Sequence, residues 1–486
     1  MARQGSEKRR TGCVTCKRRK VKCDEARPVC NRCHVGGRSC TYLSPPIGSY
    51  SWQHLLQAKP PLLAVPGPGL PQQEARSLDY FRSVVAPVLD GSLGNGFWTN
   101  PVMQLAMNEA AVMHGIHAIS LLYEGFEPSW KDSLCEEEVL RHYNHALRLV
   151  ATSKPQEFAV LVASVLFICI EFLRGNTAAA ITHCRHGILL ARTCRAPDSA
   201  AADVLQHLSI FPHFFSSGEF PSLSSRPQES RFESLAAAAT AMDKLLAQAI
   251  GLVRSLDAYR LGADDLIIPP DVWNMQQAVL RDLMVWKIAF EALPVDTAAA
   301  DTARSLLRMR FLVGWVWTSI APHREETASD WFHAEFAEIV RLAKIIHQQA
   351  STTKFTFSMG TAPLLHFAVI KCRHLATRLE ALKVLRDLAN VRESLWDAET
   401  MYAIGKCIVE HEHGILVDEG LPMTDAELPD DRSRIRDSYV EDEVFEHLDE
   451  QGNLVFRRRI HLVYLEGSAV AEKLDWISSS VITNAE

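Results

Sequence analysis

Six of the chain's 12 cysteines fall in one short stretch: Cys13, Cys16, Cys23, Cys30, Cys33 and Cys40. Their spacing is C-x2-C-x6-C written twice. The residues around them include almost no large apolar side chains, so this segment cannot bury a core, and bound metal has to supply its folding free energy. A two-residue gap lets a cysteine pair reach one ion, and structural zinc takes four thiolate or imidazole ligands. Six thiolates then close either one site with two spares or two sites that share two sulfurs. The repeat favours sharing by the first cysteine of each half. One ion would see Cys13, Cys16, Cys23 and Cys30, and the other Cys30, Cys33, Cys40 and Cys13. His34 directly follows Cys33 and makes a poor extra ligand, because adjacent side chains rarely converge on one ion.

Charge is distributed as unevenly as cysteine. The net charge of −7 averages +9 over residues 1–43 and −16 over the remainder. Two zinc ions on six thiolates would lower the head only to about +7. A basic arm on an acidic body is the pattern of a nucleic-acid-binding segment. Between Cys16 and Cys23 lie Lys17, Arg18, Arg19, Lys20 and Lys22. Ligand spacing followed by good helix formers predicts a short helix over about 14–20, whose basic face suits a DNA major groove. Arg32 and Arg38 would add backbone contacts. The blander reading of such a run is a nuclear-import signal or a solvated face, and Lys8-Arg9-Arg10 fits import as well as DNA contact.

The remaining composition is that of an ordinary globular protein: 47% apolar, 22% charged, mean hydropathy −0.03. The first ten residues contain no apolar leader, which predicts a reducing, intracellular setting and disfavours disulfides. The mostly apolar stretch Phe158–Ile170 is short for a membrane span, so no membrane is expected. At 486 residues the chain exceeds one hydrophobic core. Residues 44–75 hold seven prolines and read as an extended linker between the head, 1–43, and a body, 76–486.

Helical periodicity runs through the body. Val139, Leu140, Tyr143, Ala146, Leu147 and Val150 form one apolar face. Phe158–Leu173 is apolar on every side and predicts a central helix, and Leu364–Leu388 predicts another amphipathic one. Asn453–Tyr464 is β-prone and predicts a short strand or hairpin. The acidic-apolar segment Asp418–Glu450 reads equally as an activation segment or as a face of the folded body. Catalytic signatures fail, so no enzyme is expected. Gly91, Gly94 and Gly96 reverse the dinucleotide fingerprint, His411-Glu412-His413 lacks zinc-protease spacing, and His183, Cys184 and His186 read as helix packing.

The six cysteines, the basic run after Cys16, Asp24 after the third cysteine, and Pro28 in the loop resemble the fungal Zn(II)2Cys6 binuclear-cluster transcription factors. Further on, Leu78-Asp79-Tyr80-Phe81, Phe97-Trp98, Glu109, His114-Gly115-Ile116-His117-Ala118 and His142-Tyr143-Asn144-His145-Ala146-Leu147 resemble the fungal-specific transcription factor domain. The likeness continues through Leu166–Glu171 and His183–Leu190. The resemblance implies a metal-stabilised head and a large all-α regulatory domain, with two Zn2+ ions bridged by Cys13 and Cys30. It implies double-stranded DNA as partner, a CGG-type triplet as target, Lys20 as chief base reader with Arg19 beside it, and Lys17, Arg18 and Lys22 as phosphate clamps. It also implies a nuclear regulator of RNA polymerase II transcription.

Family members often dimerise through a coiled coil after the linker. No sustained heptads occur between Ser44 and Arg82, which leaves a homodimer or protein partner to be gathered through the body. Some relatives bind a lipid in this domain, but no residues here mark a pocket for a small-molecule effector. The competing reading is a ligand-sensing or enzymatic helical body tethered to chromatin by a non-specific basic zinc module.

Overall fold

The computed structural model describes residues 15–40, except 17, 18, 20, 22, 25, 27, 28 and 39, and residues 72–479. Within the latter, 92, 126–133, 154, 194–199, 216–230, 262–266, 295–297, 350–353, 390, 418–426, 449–453 and 468 are left out. The chain divides into two units, Met1–Val65 and Pro66–Glu486.

Among the described residues of the first unit, α1 spans Asn31–Val35 and ends at Gly36 and at Gly37 with φ +58°. The second unit starts with α2, Gln72–Tyr80, whose first turn reaches back into the proline-rich stretch. The amphipathic face around Val139 forms α4, Leu134–Ser153. It buries Val139, Tyr143, Ala146, Leu147 and Val150 while Glu137, Arg141 and Arg148 stay exposed. It packs on α3, Ala110–Glu124, and on the mostly apolar α5, Glu157–Arg174. Thirteen residues of α5 are buried, as a helix without a polar face requires. A Cβ on Gly115 would lie 2.9 Å from Leu166, so glycine sets the close approach of α3 to α5. Gly175, φ +69°, ends α5 in a left-handed cap, and Asn176 N–H returns to Glu171 O at 3.0 Å. α6, Thr177–Thr193, and α7, Ala200–Leu208, complete this layer.

A second group follows: α8, Leu235–Ser255; α9, Pro270–Glu291; α10, Ala298–Ile320; and α11, His333–Gln349. Ser234 caps α8 by accepting Ala237 N–H at 3.2 Å, and Pro270 occupies the first turn of α9. α8 is long and apolar enough to cross a membrane, and here it packs on α9 and α10. Trp286, on α9, is buried, with its Nε1–H donating to Ala238 O at 2.9 Å.

The helix expected over Leu364–Leu388 is two helices, α12, Ala362–Lys371, and α13, Leu375–Asp387. No proline or glycine lies at the break. Cys372 and His374 are extended because Lys371 and Arg373 both turn into a buried ionic network. Lys371 Nζ lies 2.8 Å from Glu326, and Arg373 meets Glu326 at 3.4 Å and Glu412 at 3.1 Å. Arg378 reaches Glu412 at 2.6 Å. Glu412 sits on α14, Ala398–His413, and also accepts Ile435 N–H at 2.7 Å. Attraction from Lys371, Arg373 and Arg260 outweighs burial and holds Glu326 well below the usual carboxylate range.

Minimal strands β1, Phe355–Thr356, β2, Arg392–Glu393, and β3, Trp396–Asp397, pair parallel then antiparallel. The body ends in a three-stranded antiparallel sheet: β4, Asp437–Leu448; β5, Leu454–Glu466; and β6, Ala469–Ser479. This exceeds the expected hairpin and qualifies the all-α expectation at the C-terminal end. Ile460 pairs with Val440 and Asp475, and it packs with Leu462, Ile477, Ile435 and Ile408 of α14. Within Asp418–Glu450, residues 437–448 are therefore part of the folded sheet.

Candidate metal centre and nucleic-acid interface

The thiol sulfurs gather in two overlapping groups. Cys16, Cys23 and Cys30 have their Sγ atoms within 4.8 Å of one another, and so have Cys30, Cys33 and Cys40. Cys30 belongs to both. Cys16 Sγ lies 3.7 Å from Cys30 Sγ and 4.0 Å from Cys33 Sγ. A disulfide would place two sulfurs at about 2.05 Å. Zinc–sulfur bonds of about 2.3 Å give a tetrahedral edge of about 3.8 Å. The cysteine set therefore fits zinc ions and not disulfide pairing. Desolvation pushes the Cys30 thiol upward, and bonds with the thiols around it add to the shift. Cys13, the other expected bridge, lies outside the described residues.

Backbone bonds repeat across the two halves. Val21 N–H donates to Cys16 O at 3.1 Å, and Arg38 N–H donates to Cys33 O at 2.9 Å. Each donor stands five residues after the second cysteine of its half, so the sequence repeat is also a repeat of conformation. Cys30 caps α1, its sulfur accepting Cys33 N–H at 3.4 Å. Asp24 takes the other free N–H groups of that helix, Asn31 at 3.0 Å and Arg32 at 3.5 Å. These bonds, Asn31 foremost, hold the Asp24 carboxyl below its ordinary range.

The sequence marks Asp24 as a motif position and does not disclose these bonds. The sequence places it one position after Cys23, whereas its partners are seven and eight positions on, across the fold.

Of the basic run, Arg19 is described: it is exposed, and its N–H donates to Thr15 O at 3.2 Å, one turn of the expected helix. Lys17, Arg18, Lys20 and Lys22 lie outside the described residues. Arg32 and Arg38 are exposed, as is His34, which takes no part in either sulfur group. The remaining candidates fall into structural roles. His183 Nε2 lies 2.9 Å from Tyr143 Oη, Cys184 is buried, and Glu412 of His411-Glu412-His413 serves the ionic network. Gly91 and Gly96 take φ +57° and +75°, and Gly94 lines a cleft with Asp90, Asp203, His207 and Asp243.

Two family models match the chain. One, described as the fungal Zn(2)-Cys(6) binuclear cluster domain, covers residues 11–49; the other, described as the fungal specific transcription factor domain, covers residues 76–382. The aspercryptin biosynthesis cluster-specific transcription regulator atnN of Emericella nidulans is 28% identical over 210 residues, 37% of this chain and 34% of that protein. The Zn(2)-C6 fungal-type transcription factor afumD of Aspergillus fumigatus is 28% identical over 229 residues, 44% of this chain and 60% of that protein. The C6 finger domain transcription factor hasF of the same species is 57% identical over 42 residues, 9% of this chain and 6% of that protein. The chain thus spans less than two thirds of the length of each. No solved structure matches it. The binuclear cluster domain binds two zinc ions, and the overlapping sulfur groups here are compatible with that pair.

Proposed function

Because the chain belongs to the fungal Zn(2)-Cys(6) transcription factor family, with the fungal specific transcription factor domain as its body, we propose that it is a nuclear, sequence-specific DNA-binding regulator of RNA polymerase II transcription. The observation that carries the reading is the pair of sulfur groups sharing Cys30 beside the basic run of residues 17–22. In this reading residues 1–43 are the DNA-binding domain, 44–75 the linker and 76–486 the regulatory body. Cys13, Cys16, Cys23, Cys30, Cys33 and Cys40 hold two Zn2+ ions, bridged by Cys13 and Cys30. The metal's contribution is structural: it replaces the core that the head lacks. Lys20, with Arg19 beside it, donates to guanine edges of a CGG-type triplet in the major groove, and Lys17, Arg18 and Lys22 neutralise phosphates. One triplet is a small target, so a second head or a protein partner gathered through the body completes the site. No catalytic step belongs to this reading.

The test compares binding of the full chain to CGG-containing and scrambled duplexes at moderate salt. Lys20→Ala should weaken binding to the CGG duplex by about 1–3 kcal/mol and leave scrambled DNA nearly unchanged. Equal affinity for both duplexes would refute base reading and favour the alternative, a helical sensor or enzyme tethered by a non-specific basic module.

A further inference from the structure

The C-terminal sheet has the order β4-β5-β6, so among the described residues β4 and β6 each have one side without a strand neighbour. Such an edge is a template for a further strand unless something blocks it. β4 is blocked twice: its register with β5 shifts between Val440 and Val444, and Glu441, Asp442 and Glu443 crowd that stretch with negative charge. β6 pairs with β5 in one unbroken register over all 11 of its residues. Val470, Leu474 and Trp476 form a row on its outer face and are 48%, 49% and 46% exposed.

The hairpin between β5 and β6 closes on Glu466 opposite Ala469. A two-residue loop makes that closing pair the hydrogen-bonded kind, so Ala469 and every second residue after it bond to β5. The N–H and C=O groups of Val470, Glu472, Leu474, Trp476 and Ser478 then point away from the sheet. Trp476 supplies independent evidence, because its N–H donates at 2.8 Å to Oδ1 of its own neighbour, Asp475.

Antiparallel pairing of β6 with a second copy of itself, centred on Leu474, is self-complementary. Lys473 stands opposite Asp475 of the second copy, and the two-fold axis makes that ion pair twice. Both charged positions fall in the closely spaced class of pair, where opposed side chains are nearest. On the same face Ala471 meets Ile477, and on the other Leu474 meets Leu474. A slip of two residues sets Lys473 against Lys473 or Asp475 against Asp475, and a slip of one turns the side chains to opposite faces. Charge thus selects one register.

We propose that β6 is a dimerisation edge, on which a second copy of this chain pairs antiparallel about Leu474 and joins the two three-stranded sheets into one. That the dimer brings two heads to one duplex rests on the DNA-binding reading above; the strand pairing itself does not.

The test is sedimentation of the zinc-loaded full chain without DNA, together with amide exchange over 469–479, so its outcome is independent of the duplex comparison. The expected result is a dimer at micromolar concentration with slow exchange along β6. Lys473→Asp and Asp475→Lys each oppose like charges twice and should weaken the dimer about tenfold or more. The double swap Lys473→Asp with Asp475→Lys should restore it. Lys473 also approaches His411 at 3.1 Å and Asp475 approaches Cys407 at 3.9 Å, and rescue by the swap separates strand pairing from disturbance of those contacts. A monomeric parent overturns the proposal, whether β6 exchanges fast and is bare or slowly and is covered by another segment of the chain. A dimer that neither single variant weakens, or that the double swap leaves weak, overturns it as well.

Discussion

Asp24 Oδ2 accepts the backbone N–H of Asn31 at 3.0 Å, so a side chain of the first cysteine half holds the helix of the second. The bond satisfies an N–H that α1 leaves unpaired and sets a negative charge at the positive end of the helix. Asp24→Ala should therefore speed zinc release to a chelator, and Asp24→Asn should fall between the variant and the parent. Equal release rates in all three would refute the role.

Cys30 belongs to both sulfur groups, whereas Cys40 belongs to one. Cys30→Ala should empty both cluster positions, and Cys40→Ala should spare the one formed around Cys16 and Cys23. Thiolate charge-transfer intensity in the Co2+-substituted full chain measures the difference.

Glu412 has no solvent-exposed side-chain surface and neutralises Arg373 and Arg378 together. Removing it takes the carboxylate from buried Arg378 and leaves buried Arg373 with Glu326 at 3.4 Å. Glu412→Ala should cost about 3–5 kcal/mol in denaturant unfolding of the body. A loss under about 1 kcal/mol would show that water or relaxation replaces it.

Glu393 accepts N–H bonds from Gly360, Thr361 and Ala362 at 3.0, 2.9 and 3.0 Å, and a Cβ on Gly360 would collide with its carboxylate. Gly360→Ala should destabilise the body by about 1–3 kcal/mol, the usual range for overpacking. Thermal melts of the variant against the parent read this directly.

Burial draws His183 and His366 down to about 4 from an ordinary 6.5, the latter despite a bond to Met401 O at 3.1 Å. The folded body keeps these rings neutral while the unfolded chain protonates them, so the unfolded state binds more protons between the two values. Stability should fall as pH drops from about 6.5 to about 4, and be insensitive to these groups above that window. His366→Gln, which keeps a hydrogen-bonding side chain without the titration, should give a shallower slope.

The parts of the structure legible in the sequence are those set by local pattern. The repeat of cysteine spacing foretold sulfur groups that overlap, and the face from Val139 to Val150 foretold α4 with its buried and exposed residues in order. What stayed hidden depends on partners distant in sequence. Lys371-Cys372-Arg373 breaks a helix because Glu326 and Glu412 draw two charged side chains inward, and no residue at the break announces it. The sequence predicts a short strand or hairpin where the structure has a sheet, because β4 is acidic and its strand character comes from pairing with β5. Asp24 was visible as a motif position, but its bond to Asn31 needed the fold.

Between Cys16 and Val21 the chain carries Lys17, Arg18, Arg19 and Lys20; between Cys33 and Arg38, in the matching position, it carries His34, Val35, Gly36 and Gly37. A repeated frame thus carries four Lys and Arg residues in this stretch of its first half and none at the matching positions of its second. Docked on DNA as proposed, such a frame has a heading. Two copies on a duplex can point toward each other, apart, or the same way, and those three arrangements are different addresses even when the bases read by each copy are identical.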